Sequence, residues 1–118
     1  MLVVDDDKAN VKLLQRVLQR QGHNVVAVNC AQEALRVIHE DEIQLVITDY
    51  LMPDMTGFEL IASLQKLPER PRTIMVSGSV LPDHLHSSLQ SWGIPFVPKP
   101  YEIGPFQLLV NQTLRGVN

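Results

Sequence analysis

Short apolar runs alternate with longer amphipathic stretches along this chain. Leu2-Val3-Val4, Val25-Val26-Ala27-Val28, Leu45-Val46-Ile47-Thr48, Thr73-Ile74-Met75-Val76 and the weaker Pro95-Phe96-Val97 are rich in β-branched and aliphatic residues. Continuous apolar runs suit parallel strands buried on both faces. The stretches between them carry apolar residues at helical spacing: Val11, Leu14 and Leu18, with Gly22 as the stop; Ala34, Leu35 and Ile38; Phe58, Ile61 and Leu64; Leu85, Leu89 and Trp92; Phe106, Leu109 and Val110. Asn29 followed by Gln32 resembles a capping box opening the second of these helices. Pro105 suits the first turn of the fifth, which should end near Arg115 and leave Gly116-Val117-Asn118 as a stub. The alternation predicts an α/β fold, a single (βα)5 domain over 1–118 with helices on both faces of a parallel sheet. Pro98 cannot donate to a strand ladder, which places the fifth strand at a sheet edge.

Composition narrows the class. With 118 residues, 45% hydrophobic and 19% charged, the chain is long enough to bury a core and too apolar to be disordered. A net charge of −3 predicts no basic stripe and no direct nucleic acid binding by this chain. Cys30 is the one cysteine, so no internal disulfide forms and a reducing cytoplasm fits. No apolar run approaches the roughly 18 residues of a membrane span. Cys30 lacks a basic neighbour in sequence and is given no redox role. The four histidines, at 23, 39, 84 and 86, show no metal-ligand spacing.

The chemistry-bearing residues sit where the apolar runs end. In open parallel sheets, ligands bind beyond the carboxyl ends of the strands. The first run ends in Asp5-Asp6-Asp7, the third in Asp49, the fourth in Ser77 and Gly78, and the fifth reaches Lys99. Clustered carboxylates repel one another and call for a cation. Oxygen ligands without His or Cys point to Mg²⁺ rather than Zn²⁺. A metal, a lysine and a hydroxyl together form a clamp for a phosphoryl group, and a carboxylate can be the nucleophile that accepts it. Asp49, alone at the centre of the rim, is the natural acceptor. Asp7 is read as a cap of the first helix, and Asp54 as a solvent-exposed loop residue. Read singly, Asp5 and Asp6 fit a solvated turn, Ser77 a strand-end hydroxyl, Lys99 a surface lysine, and Phe96 and Trp92 core. It is their convergence that argues for a site.

Val3-Val4-Asp5-Asp6, Ile47-Thr48-Asp49-Tyr50-Leu51-Met52-Pro53, Met75-Val76-Ser77-Gly78 and Val97-Pro98-Lys99-Pro100 resemble, in order and spacing, the signature motifs of response-regulator receiver domains. The resemblance covers almost the whole chain. It implies a flavodoxin-like, doubly wound sheet of strand order 2-1-3-4-5 and a phospho-acceptor switch in a two-component phosphorelay. Asp49 would be phosphorylated. Asp5, Asp6, Asp49 and the backbone carbonyl of Leu51 would hold Mg²⁺ or Mn²⁺. Ser77 and Lys99 would bind the phosphoryl group, Gly78 would leave room for the donor, and Phe96 would be the rotating aromatic behind Ser77. A cis bond between Lys99 and Pro100 is also implied. The donor would be a histidine kinase or a histidine phosphotransfer protein. The reader would be an output domain or protein acting on the face of the fourth helix, fifth strand and fifth helix. The resemblance implies a cytoplasmic domain, free-standing or part of a membrane-bound hybrid kinase, that is not a turnover enzyme.

Three rival readings compete for these residues. An aspartate-nucleophile phosphatase of the haloacid dehalogenase type places a second acid two residues after the nucleophile, where this chain has Leu51. A degenerate receiver acting only as an interaction module is disfavoured by the joint presence of Asp5, Asp6, Asp49, Ser77 and Lys99. A flavodoxin-like cofactor binder needs a phosphate-cradling loop after the first strand, and acids stand there. Thr56 replaces an acid common before Gly57, outside the catalytic set. The region of Pro82 and Trp92 is less typical of the family.

Overall fold

The computed structural model describes residues 1–116; the Val117-Asn118 end of the expected stub lies outside them. Five strands, β1 (Leu2–Val4), β2 (Val26–Val28), β3 (Leu45–Asp49), β4 (Arg72–Ser77) and β5 (Phe96–Pro98), alternate with five helices, α1 (Lys8–Arg20), α2 (Ala31–Glu40), α3 (Gly57–Leu64), α4 (Asp83–Ser91) and α5 (Ile103–Leu114). All pairings are parallel and the order is β2-β1-β3-β4-β5, as expected.

Pleating sends alternate residues of each strand to opposite layers. Val3, Leu45, Ile47, Ile74 and Val76 pack with Leu14 and Leu18 of α1 and Phe106 and Val110 of α5. Leu2, Val4 and Val46 pack with Ala31, Ala34 and Val37 of α2 and Leu60 and Leu64 of α3. Met75 joins Ile61, Leu81, Leu89 and Ile94 beneath α4. This double burial explains the unbroken apolar runs of β1, β3 and β4. The edge strand β2 is half-open, with Val26 exposed. The other edge is β5, and it includes Pro98.

Local signals account for several helix ends. The Asp7 carboxylate caps α1 by accepting from the Ala9 and Asn10 amides at 3.0 and 3.3 Å. Gly22, at φ +93°, stops α1, with its own amide donating to Gln19 O and the His23 amide to Leu18 O. Three expectations need correction. α2 has Cys30, not Asn29, as its N-cap, and Cys30 makes no side-chain capping bond. The capping box lies instead at α3, where Thr56 Oγ1 accepts from the Glu59 amide at 3.1 Å and donates to the Glu59 carboxylate at 3.3 Å. α2 fully buries Ala31, Ala34 and Val37, leaving Leu35 and Ile38 at the margin of the same cluster. Trp92, expected in the core, is half-buried at the C-cap of α4, stacked on Phe58 at 5.4 Å.

Candidate phospho-acceptor site

The first three strands in the sheet order bring the acids together. β1 hands the chain to Asp5 and Asp6, and β3, its neighbour, ends on Asp49. One carboxylate oxygen from each of Asp5, Asp6 and Asp49 lies within 4.8 Å of the others. Asp5 and Asp49 are buried; Asp6 is exposed. From β5, Lys99 reaches back over the rim, its Nζ 3.1 Å from Asp5 Oδ2 and 3.4 Å from Asp49 Oδ1. The Lys99 backbone amide is fixed by Ser77 O at 2.8 Å, and the Lys99–Pro100 peptide is cis.

Each acid is oriented differently. Asp5 Oδ1 accepts from the Asp7 amide at 3.0 Å, which leaves Oδ2 for Lys99. Asp49 Oδ1 accepts from the Tyr50 amide at 2.9 Å, and among the described residues none donates to its Oδ2. That oxygen is left open on the rim. Burial pushes the Asp49 carboxyl above its ordinary range, Lys99 pulls it back, and Asp5 adds to the rise. Burial lowers the Lys99 ammonium, but Asp5 and Asp49 outweigh that and leave it raised. The cluster thus carries more negative charge than its single lysine neutralises. Hard carboxylate oxygens in that state fit a divalent cation such as Mg²⁺.

Ser77, buried at the end of β4, is engaged with its own loop. It accepts from the Ser79 amide at 3.0 Å and donates to Ser79 O at 3.3 Å. Gly78 is exposed, and a Cβ there would meet only Lys99 Cβ, at 3.9 Å. Leu51 is exposed in the segment after Asp49. Phe96 is half-buried and meets His86 of α4 edge-on at 5.0 Å.

Two residues near Asp49 do more than the sequence predicts. Gly57 opens α3 against the backbone of Asp49. A Cβ there would collide with the Asp49 carbonyl oxygen and stand 3.2 Å from Thr48 Oγ1. Its amide donates to Tyr50 O at 2.6 Å, and Thr48 Oγ1 donates to Asp49 O at 2.9 Å. A glycine directly after a cap, at a position helices do not favour for it, was the available signal. Asp54 is exposed as expected, but it is not idle: its carboxylate binds the first amides of α2.

Charge is also distributed less evenly than the net value suggests. Lys8, Lys12, Arg16 and Arg20 follow one another at i,i+4 along α1, all exposed and with no acid on that helix. The expectation of no basic stripe is corrected, because a sum over the chain hides a local excess. Among the described residues no helix is long and apolar enough to cross a membrane.

Comparison with known proteins agrees with this geometry. The family model for the response regulator receiver domain matches residues 1–111. The sensory/regulatory protein RpfC of Xanthomonas campestris pv. campestris is 33% identical over 104 residues, covering 85% of this chain and 14% of RpfC. The transcriptional regulatory protein GlrR of Escherichia coli is 35% identical over 103 residues, covering 86% of this chain and 23% of GlrR. The chain therefore spans a small part of those two relatives, whereas it aligns with 94% of the rice two-component response regulator ORR12 at 27% identity. The CheY-like receiver domain protein of Methanospirillum hungatei superposes with a TM-score of 0.89 at 27% identity, over 98% of this chain and 92% of that one. The receiver domain of a signal transduction histidine kinase from Syntrophus aciditrophicus gives 0.86 at 28% identity, over 99% and 90%. With its strand order, its acidic rim and the family match over nearly its full length, this chain belongs to the response-regulator receiver domain family.

Proposed function

We propose that the chain is a phospho-acceptor switch, one working domain that takes a phosphoryl group from a phosphohistidine onto Asp49. The observation that carries this reading is the meeting of Asp5, Asp6, Asp49 and Lys99 at one rim, with Asp49 Oδ2 left without a donor. Asp5, Asp6, Asp49 and the Leu51 carbonyl would hold Mg²⁺ or Mn²⁺. When bound, that ion would neutralise the carboxylates and the phosphoryl oxygens.

The protein residues divide the remaining work. Asp49 Oδ2 attacks phosphorus in line; the new O–P bond forms as the P–N bond to the donor imidazole breaks. The Tyr50 amide keeps Oδ1 turned away from the attack, which selects Oδ2 as nucleophile. Lys99, already 3.4 Å from Asp49, moves its charge onto a phosphoryl oxygen. The exposed, uncluttered Gly78 leaves the donor a path. Ser77 exchanges its bond to Ser79 O for one to the phosphoryl group, and still accepts from the Ser79 amide. Phe96 moves with it, altering its contact with His86 and so the face of α4, β5 and α5. Water later attacks the acyl phosphate and restores the acid, so the chain resets rather than turning over a substrate. The donor is a histidine kinase or phosphotransfer protein in the cytoplasm, and the reader an output domain or protein.

The test is intact mass after incubation with acetyl phosphate, with and without Mg²⁺, for wild type and Asp49→Asn. The expected result is a metal-dependent gain of one phosphoryl group, absent in the variant. A folded wild type that gains nothing would sink phosphorylation by a small donor and leave a receiver strictly dependent on its kinase, or a fold kept only for binding.

A further inference from the structure

The segment between Asp49 and α3 has two firm ends. Tyr50 N donates to Val76 O at 3.0 Å, and Gly57 N donates to Tyr50 O at 2.6 Å. Between them, 51–55 has no regular structure. Met52 and Met55 rest against the α2–α3 side of the core. Among the described residues, the hydrogen bonds that tie this segment to another element all come from Asp54. Its Oδ1 accepts from Ala31 N at 3.1 Å and its Oδ2 from Gln32 N at 2.8 Å, while Oδ1 also accepts from Met55 N at 3.1 Å.

The need for this contact is mutual. The first amides of a helix lack intrahelical partners, and Cys30 cannot supply one. A carboxylate from across the loop does so instead, at the positive end of the helix. The same amide bonds, that of Gln32 foremost, hold the Asp54 carboxyl below its usual range. Asp54 lies three residues beyond Leu51, whose carbonyl is a metal ligand in the function proposed above.

We propose that Asp54 is a positioning residue for the phospho-acceptor site, pinning the 51–55 segment to the N-terminus of α2 so that the Leu51 carbonyl stands ready for the metal. This rests on the metal site of the proposed function. Coupling is reciprocal, so an ion that orders the segment also tightens the contact between Asp54 and α2. Mg²⁺ therefore slows exchange of the Ala31 and Gln32 amides, although neither touches the ion.

The experiment uses the whole chain as wild type, Asp54→Ala and Asp54→Asn, at a temperature where circular dichroism shows all three folded. Mg²⁺ affinity is read by titration of amide resonances, and exchange at Ala31 and Gln32 is followed with and without Mg²⁺. Asp54→Ala should bind Mg²⁺ about tenfold more weakly, the low end for loss of a supporting residue. It should also lose the Mg²⁺-dependent slowing at residues 31 and 32. Asp54→Asn, whose single amide oxygen can replace only one of the two carboxylate oxygens, should recover part of both. If Asp54→Ala binds Mg²⁺ as the wild type does, or keeps the Mg²⁺-dependent slowing at residues 31 and 32, the positioning role is overturned while the metal site stands. If the wild type itself does not bind Mg²⁺, the metal site falls and this role falls with it.

Discussion

Replacing Asp49 by Asn should stabilise the unphosphorylated, metal-free protein, although it abolishes the acceptor. The amide is nearly isosteric and can still accept from Tyr50 N. At an effective dielectric of about 20, charges at 4.8 Å, the upper bound on the spacing of the Asp5, Asp6 and Asp49 oxygens, interact by about 3.5 kcal/mol. Asp49 meets two such repulsions, from Asp5 and Asp6. It meets one attraction, from Lys99 at 3.4 Å, of about 5 kcal/mol on the same scale. Asp6 is exposed, and screening of its share brings repulsion close to attraction; burial of the carboxylate, the largest influence on Asp49, then sets the sign. From that burial the net expectation is about 1–2 kcal/mol of added stability at pH 7. The direction agrees with the raised Asp49 carboxyl. A raised acid contributes stability that is full below its unfolded value, near 3.9, and is lost as pH rises through its folded value. The advantage of Asn should therefore be small at low pH, appear as pH rises through the folded value, and be complete at neutrality. Mg²⁺ should narrow it by stabilising the wild type. Urea unfolding followed by far-ultraviolet circular dichroism, in chelator and in Mg²⁺, measures all three. An Asn variant no more stable than wild type at pH 7 in chelator would refute the charge account, as would a difference that ignores pH.

Two further perturbations probe the same rim. Lys99→Met leaves Asp5 and Asp49 buried with no cation; allowing for the partial exposure of Lys99, it should cost about 2 kcal/mol at pH 7 and slow phosphorylation by acetyl phosphate. Lys99 is raised, so its contribution is complete below about 10.4 and lost only as pH climbs through its higher folded value, which a urea series from pH 7 to 11 would display. Gly57→Ala forces α3 away from the Asp49 carbonyl and should cost about 1–3 kcal/mol and impair phosphorylation, whereas Gly78→Ala, with 3.9 Å to its nearest neighbour, should unfold at the wild-type urea midpoint.

Much of this molecule was legible one residue at a time. The unbroken apolar runs announced strands covered on both sides, and β1 and β3 are buried throughout, as is β4 from Thr73 onward. Asp7 as a cap, Gly22 as a stop and Pro98 on an edge strand are local chemistry, set by which backbone groups a side chain can satisfy or deny. The residues of the rim were legible because strand ends in a parallel sheet face one side. Asp5, Asp49, Ser77 and Lys99 were thereby assigned to one place before any distance was known.

Tertiary structure decided what depends on pairs distant in sequence. Asn29 and Gln32 have the spacing of a capping box, but the start of α2 is satisfied from Asp54, a residue 22 positions or more away along the chain. Gly57 matters because α3 begins against the carbonyl of Asp49, a closeness its own neighbours in sequence do not reveal. The choice of Asp49 Oδ2 as the free oxygen, and of Ser79 as the resting partner of Ser77, are likewise matters of orientation. Periodicity and side-chain type act over one turn or one strand, so a sequence states them directly. Hydrogen-bond partners, burial and shared charge arise only when strands β1, β3, β4 and β5 lie side by side, and so they belong to the fold.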